Sequence, residues 1–182
     1  MTVKSRLTAA EFDEIAALPE NADKRLEFIG GEIVELVSNN YSSLIAGNII
    51  GEVKAFCKGK GLGYVTVPDG GYMVSGERYI PDMGFISKRR QPKPSHETYN
   101  SNAPDLAVEV VSPTDGAKDI LDKVANYLAA GTQVWVIFPT EQQIKVYKPG
   151  QPVKTIDIEG TLDGGDVLPG LSIKASDVFA ED

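Results

Sequence analysis

Two carboxylates stand among apolar neighbours in segments that read as strands. In YIPDMGFI, Asp82 is flanked by Ile80, Pro81, Met83, Phe85 and Ile86. In DLAVEVV, Glu109 is surrounded by Leu106, Ala107, Val108, Val110 and Val111. An ionised carboxylate in a half-buried sheet costs free energy unless it is paired or holds a metal. Strand alternation puts Leu106, Val108 and Val110 on one face, and Asp105, Ala107, Glu109 and Val111 on the other. The second face combines small and acidic positions, which leaves room for an ion and a substrate. The competing reading is that Glu109 lies on a solvated sheet face or pairs with a lysine. Two carboxylates with a main-chain carbonyl make a hard-oxygen donor set suited to Mg²⁺ or Mn²⁺.

Other chemistries lack their residues. His96 is the only histidine and Cys57 the only cysteine, so one chain cannot build a histidine- or thiolate-rich zinc site. The same shortage disfavours Ser-His-Asp and Cys-His catalysis. No phosphate loop or dinucleotide glycine fingerprint is present. Metal-assisted hydrolysis, with water as the nucleophile, remains. It needs a cation near the attacking water or the charged oxygens. Lys123, in LDKVANYLAAG, follows Glu109 on the next helix. Helical spacing directs Leu121, Val124 and Leu128 to the core and aligns Asp119, Lys123 and Tyr127 in a row. A purely superficial row, with Lys123 pairing Asp119, is the alternative.

The elements around these residues are legible from pattern. LTAAEFDEIAALPE has the capping-box spacing of Thr8 and Glu11, and Pro19 ends it. Gly30-Gly31 fits a tight hairpin between RLEFIG and EIVELVS. A second helix is expected from Tyr41 to Lys58, where Tyr41, Leu44, Ile45, Ile49, Val53 and Phe56 recur at helical spacing. GYVTV, YMV and RYIPDMGFI then read as strands, followed by the polar loop SKRRQPKPSHETYNSNA. DLAVEVV is broken by Ser112-Pro113-Thr114, and GAKDILDKVANYLAAG reads as a helix capped at Gly131. QVWVIFP is a buried strand, IKVYKPG and PVKTIDI continue as a meander, and the tail carries turns and one short helix. A strand, crossover helix and strand make a right-handed parallel unit. Turn-joined strands before it are antiparallel. The expected fold is α/β (α+β): one domain over residues 1–182, with a mixed sheet flanked by helices and small β-extensions.

Composition sets the outer bounds. The 182 residues are 42% hydrophobic and 24% charged, the profile of an ordinary globular domain. A single cysteine and an acidic N-terminal stretch without an apolar core imply a cytoplasmic protein. A net charge of −8 argues against coating nucleic acid by bulk electrostatics. Lys88, Arg89, Arg90 and Lys93 form the one local basic run, which is ordinarily a solvated loop.

Over nearly its whole length the chain resembles a restriction-endonuclease-like family of bacterial proteins, numerous in cyanobacteria, within the PD-(D/E)XK nuclease superfamily. The resemblance runs from RLEFIGGEIVEL through YIPDMGFIS and is strongest at APDLAVEVVSPTDGAKDILDKVANYLAAGTQVWVIFP. It continues through IKVYKPG to LDGGDVLPGLSI. It implies a restriction endonuclease-like core in which Pro81-Asp82 is the PD element and Glu109 the second acid. Val111 stands where the motif has lysine, and Lys123 matches a lysine moved to the following helix. Asp82, Glu109 and Lys123 would be catalytic, with Asp82, Glu109 and the Val110 carbonyl on the metal. Asp105, in a second Pro-Asp pair, would be a decoy or an accessory ligand. Glu52 or Glu32 could supply the further acid often carried by the first core helix. Trp135 and Tyr127 read as packing. The implied activity is Mg²⁺-dependent (or Mn²⁺-dependent) hydrolysis of DNA phosphodiesters by a homodimer, with the Lys88–Lys93 loop on flanking phosphates. The alternative is a non-catalytic binding or assembly module that retains the nuclease fold.

Overall fold

Residues 6–113 and 115–181 are described in a computed structural model of the protein. The first five residues, and Thr114 of the expected strand break, lie outside that range. Helix α1 (Ala9–Ala16) starts at Thr8, whose hydroxyl accepts the Glu11 N–H at 3.3 Å while the Glu11 carboxylate accepts the Thr8 N–H at 2.8 Å. This is the expected capping box. Strands β1 (Leu26–Ile29) and β2 (Glu32–Glu35) pair across Gly30 and Gly31, which have φ of 58° and 89°. Positive φ at both central residues is what a twist-matched hairpin requires. Helix α2 (Asn40–Cys57) is capped by Asn39, whose side chain accepts the Ser42 N–H at 2.9 Å.

The chain continues through β3 (Gly63–Thr66), β4 (Gly71–Val74), β5 (Glu77–Tyr79), β6 (Met83–Ser87), β7 (Tyr99–Asn100) and β8 (Leu106–Val110). Helix α3 (Ala117–Ala129) leads to β9 (Gln133–Phe138), β10 (Gln143–Tyr147) and β11 (Lys154–Ile156). The end is β12 (Thr161–Asp163), β13 (Ser172–Lys174) and the short helix α4 (Ala175–Val178). One mixed sheet has the order β11-β10-β9-β8-β6-β3. Within it β8 and β9 are parallel across α3, and the other pairs are antiparallel. A second mixed sheet has the order β2-β1-β5-β4-β7, and β12 and β13 pair on their own.

The six-stranded sheet is covered on both faces. Leu106 and Val108 of β8 pack with Ile45, Ile49 and Val53 of α2. Ala107, on the opposite face, packs with Tyr72 and Tyr79 of the second sheet and with Val124 and Tyr127 of α3. Glu109 therefore faces the layer formed by α3 and the second sheet. Trp135 is fully buried, as expected.

Three expectations need correction. RYIPDMGFI is two strands in different sheets, because Pro81 has no N–H to continue a ladder, and Asp82 lies in the bend before β6. The polar loop contains β7, which pairs in parallel with β4. Leu121 is 57% exposed; the inner face of α3 carries Lys123, Val124 and Tyr127 instead. A lysine occupies an inward position because it has buried acids to meet, which a hydrophobicity pattern does not register.

Gly84 of β6 lets the two sheets approach. A Cβ there would lie 2.6 Å from the ring and hydroxyl of buried Tyr72 and 2.7 Å from the Thr66 hydroxyl. Gly84→Ala is therefore expected to destabilise the fold by about 1–3 kcal/mol. Gly47→Ala, on the exposed side of α2 with open space around it, should stabilise by roughly 0.5–1 kcal/mol. Urea denaturation of the two variants against wild type checks both signs.

Candidate active site

Four elements converge where β6 begins and β8 ends. Met83 is paired with Val108, so the preceding Asp82 comes alongside the end of β8. Its Oδ2 accepts the Val110 N–H at 2.7 Å. Glu109 points to the other side of β8 from Val108 and Val110, toward α3. There Lys123 Nζ donates to Glu109 Oε2 at 2.9 Å, and the Tyr127 hydroxyl donates to Glu109 Oε1 at 2.9 Å. Glu27 of β1 completes the group. It is 1% exposed, lies 2.9 Å from Lys123 Nζ through Oε1, and accepts the Ile80 N–H at 2.7 Å.

Glu27, Asp82, Glu109 and Lys123 line one cavity of about 220 Å³. Its rim is formed by Val34 and Val37 of the first hairpin, Ser42 of α2, and Asp115 and Asp119 near the start of α3. The structure brings Asp82, Glu109 and Lys123 together. Lys123 does not pair with Asp119, and Tyr127 touches Glu109 as well as packing beneath it. Asp105 stands at the opposite end of β8, where it pairs with Arg90 at 3.1 Å and accepts the Ser87 N–H. Glu32 and Glu52 are exposed on β2 and α2 and do not line the cavity, whereas Glu27 of β1 does. The Lys88–Lys93 loop follows the far end of β6, six residues or roughly 20 Å from Asp82.

Sequence reasoning missed Glu27, although its signal is the one that marked Asp82 and Glu109. In RLEFIG, an acid sits between Leu26 and Phe28, which are both buried. Alternation then leaves Glu27 facing away from them, into whatever layer lies across the sheet.

Three acids around one lysine leave excess negative charge in a desolvated cavity. Burial, and then the nearby Glu109 carboxylate, push Asp82 up to about 7, against the pull of the Val110 N–H and Lys123. Burial raises Glu27, and Lys123 only partly offsets it. For Lys123 burial acts downward, but Glu109 and Glu27 outweigh it and hold the ammonium well above its ordinary range. Burial and Glu109 likewise raise the Tyr127 hydroxyl, which stays a donor.

Among the described residues no three His, Cys, Asp or Glu side chains are grouped to hold a metal by themselves. Two side-chain carboxylates with a carbonyl and waters suit Mg²⁺, which keeps much of its hydration shell. The burial and the Glu109 charge that hold Asp82 up are the condition that a bound divalent cation would relieve. Glu109 oxygens that accept one hydrogen bond each retain a second lone pair. The donor set fits.

A core in which a Pro-Asp bend, an acidic strand and a following helix meet at one cavity is the restriction endonuclease-like class of fold. A crystal structure from Anabaena variabilis ATCC 29413, described as a "putative nuclease", shares it with a TM-score of 0.83. The two are 22% identical, and the match covers 95% of this chain and 97% of that one. The chain belongs to the Uma2 family, described as "Putative restriction endonuclease", whose pattern matches residues 10–176. No curated protein matches it.

Two outcomes follow from the charge balance. Lys123→Ala strands buried Glu27 and Glu109 and is expected to cost about 3–5 kcal/mol, part of which returns when Glu27→Gln is added. Chemical denaturation of the single and double variants measures it. Because the folded pKa of Asp82 lies above the unfolded 3.8, the folded state holds the extra proton between pH 3.8 and about 7. Stability is lost as pH rises through that window, by at most about 4 kcal/mol. Asp82→Asn, which can still accept the Val110 N–H, should therefore raise Tm at about pH 8 and change it little near pH 4.

Proposed function

We propose that this protein is a metal-dependent endonuclease that hydrolyses phosphodiester bonds in DNA. The observation that carries the reading is the meeting of Asp82, Glu109 and Lys123, from a bend, a strand and a helix, in one desolvated cavity. Membership of a family described as restriction endonucleases supports it, as does the nuclease description of the Anabaena protein.

Asp82 and Glu109, with the Val110 carbonyl, would hold Mg²⁺ or Mn²⁺. When bound, the ion would polarise the phosphate and lower the pKa of a coordinated water. The protein's own groups do the rest. Lys123 stays protonated, so it serves as a cation and hydrogen-bond donor and not as the base that deprotonates water. An ammonium has three N–H groups, and two meet Glu27 and Glu109. The third is left for a phosphoryl oxygen, whose charge grows in the transition state. Tyr127 fixes the rotamer of Glu109, and Glu27 fixes Lys123 and the Ile80 backbone next to Pro81-Asp82. A homodimer would present two such cavities to the two strands of a duplex.

The test is cleavage of plasmid DNA with Mg²⁺ or Mn²⁺ by wild type and by Asp82→Ala, Glu109→Ala and Lys123→Ala. Each substitution is expected to lower the rate by about 10²-fold or more. Undiminished cleavage by the double carboxylate variant would overturn the mechanism. Calorimetric titration with Mn²⁺ separates the rival reading: a non-catalytic module that keeps the fold would bind no ion, even with oligonucleotide present.

A further inference from the structure

The acidic cavity has a counterpart at the other end of the six-stranded sheet. Residues 53–64 and 86–96 carry seven Lys and Arg and no Asp or Glu, in a chain of net charge −8. The fold joins these two separate segments. Strand β3 pairs with β6 so that Gly63 lies opposite Ser87, and the Lys88 N–H donates to the Leu62 carbonyl at 2.9 Å. The Tyr64 hydroxyl donates to the Pro92 carbonyl at 2.8 Å, which fastens the second segment across the first. Lys54, Lys58, Lys60, Lys88, Arg89 and Lys93 are all exposed. Lys60 Nζ sits 3.3 Å from the Phe56 ring centroid, which restrains it on the surface.

Arg90 belongs to the scaffold. It donates to the Ala103 and Pro104 carbonyls and neutralises Asp105, the acid at this end of β8. The other six cations have no acid in either segment to offset them. Like charges gathered on one face repel one another, so the arrangement weakens the fold unless an anion meets it.

Two measures place this surface relative to the cavity. Along β6, Lys88 is six residues from Asp82, roughly 20 Å. Along α2, Ser42 lines the cavity while Lys54 and Lys58 follow it by 12 and 16 residues, about 18 and 24 Å along the helix axis. At about 3.4 Å per base pair, that separation is roughly five to seven base pairs of duplex.

We propose that Lys54, Lys58, Lys60, Lys88, Arg89 and Lys93 form a docking surface for the phosphate backbone of nucleic acid, one that anchors a duplex roughly five to seven base pairs from the cavity. The identity of the polyanion rests on the nuclease reading; the surface itself rests on its charge and placement. It reconciles an acidic protein with a nucleic-acid partner, since attraction is confined to one end while the cavity end repels unneutralised phosphate.

Fluorescence anisotropy of a labelled duplex of about 20 base pairs, in EDTA and between about 50 and 200 mM salt, tests it without any cleavage. The variants are Lys58→Glu/Lys60→Glu/Lys88→Glu/Arg89→Glu, the same set changed to Gln, and Asp82→Asn. The Glu set should weaken binding at least about tenfold, and the log–log salt slope should fall by about 0.9 for each phosphate that is no longer neutralised. The Gln set, which adds no repulsion, should show the same change in slope with a smaller loss. Asp82→Asn should bind no more weakly than wild type. Absence of wild-type binding, or equal binding by both charge variants, would overturn the proposal. Binding through this surface without any metal-dependent cleavage would leave it standing and sink the nuclease reading instead.

Discussion

The site depends on one desolvated ammonium. Lys123 is inserted from α3 between Glu27 of one sheet and Glu109 of the other, and each of the three charges is tolerable only because the others are present. Attraction between buried charges offsets their loss of hydration only when geometry and hydrogen bonding are nearly complete. Here the Ile80 N–H and the Tyr127 hydroxyl supply the remaining bonds. The lysine therefore ties the three layers together at the point where chemistry is proposed. The arrangement still leaves the cavity net negative, which suits it to a small hard cation.

Position follows from Pro81. The chain leaves β5 in one sheet and enters β6 in the other across Ile80-Pro81-Asp82, a change of sheet that a residue without an N–H can make without breaking a ladder bond. Asp82 is delivered to the end of β8 and held by the Val110 N–H, while Glu27 grips the residue before the proline. Gly84, two residues on, keeps β6 within reach of Tyr72. Close packing between the sheets and the position of the Asp82 carboxylate are thus consequences of the same few residues.

Charge is segregated along the molecule. Acids collect around the cavity and its rim, cations at the opposite end of β6 and α2. An overall charge of −8 conceals this polarity, because it sums two regions that meet different surroundings. Long-range attraction and repulsion act through the local field and not through the total.

Much of this was legible in the chain itself. Local rules gave the capping box at Thr8, the Gly30-Gly31 hairpin, α2 to within a residue at each end, and the β8-α3-β9 unit, because each depends on neighbours a few positions apart. Asp82 and Glu109 stood out because acids are costly among apolar residues. Tertiary structure alone decided the rest. Leu121 and Lys123 exchange the roles that periodicity assigns them, since the burial of a lysine depends on acids 14 and 96 residues away in sequence. The division of RYIPDMGFI between two sheets, the entry of Glu27, and the union of two basic segments likewise arise from pairings across long stretches of chain. Periodicity reports which side of an element is turned inward; only the assembled layers determine which charges wait there.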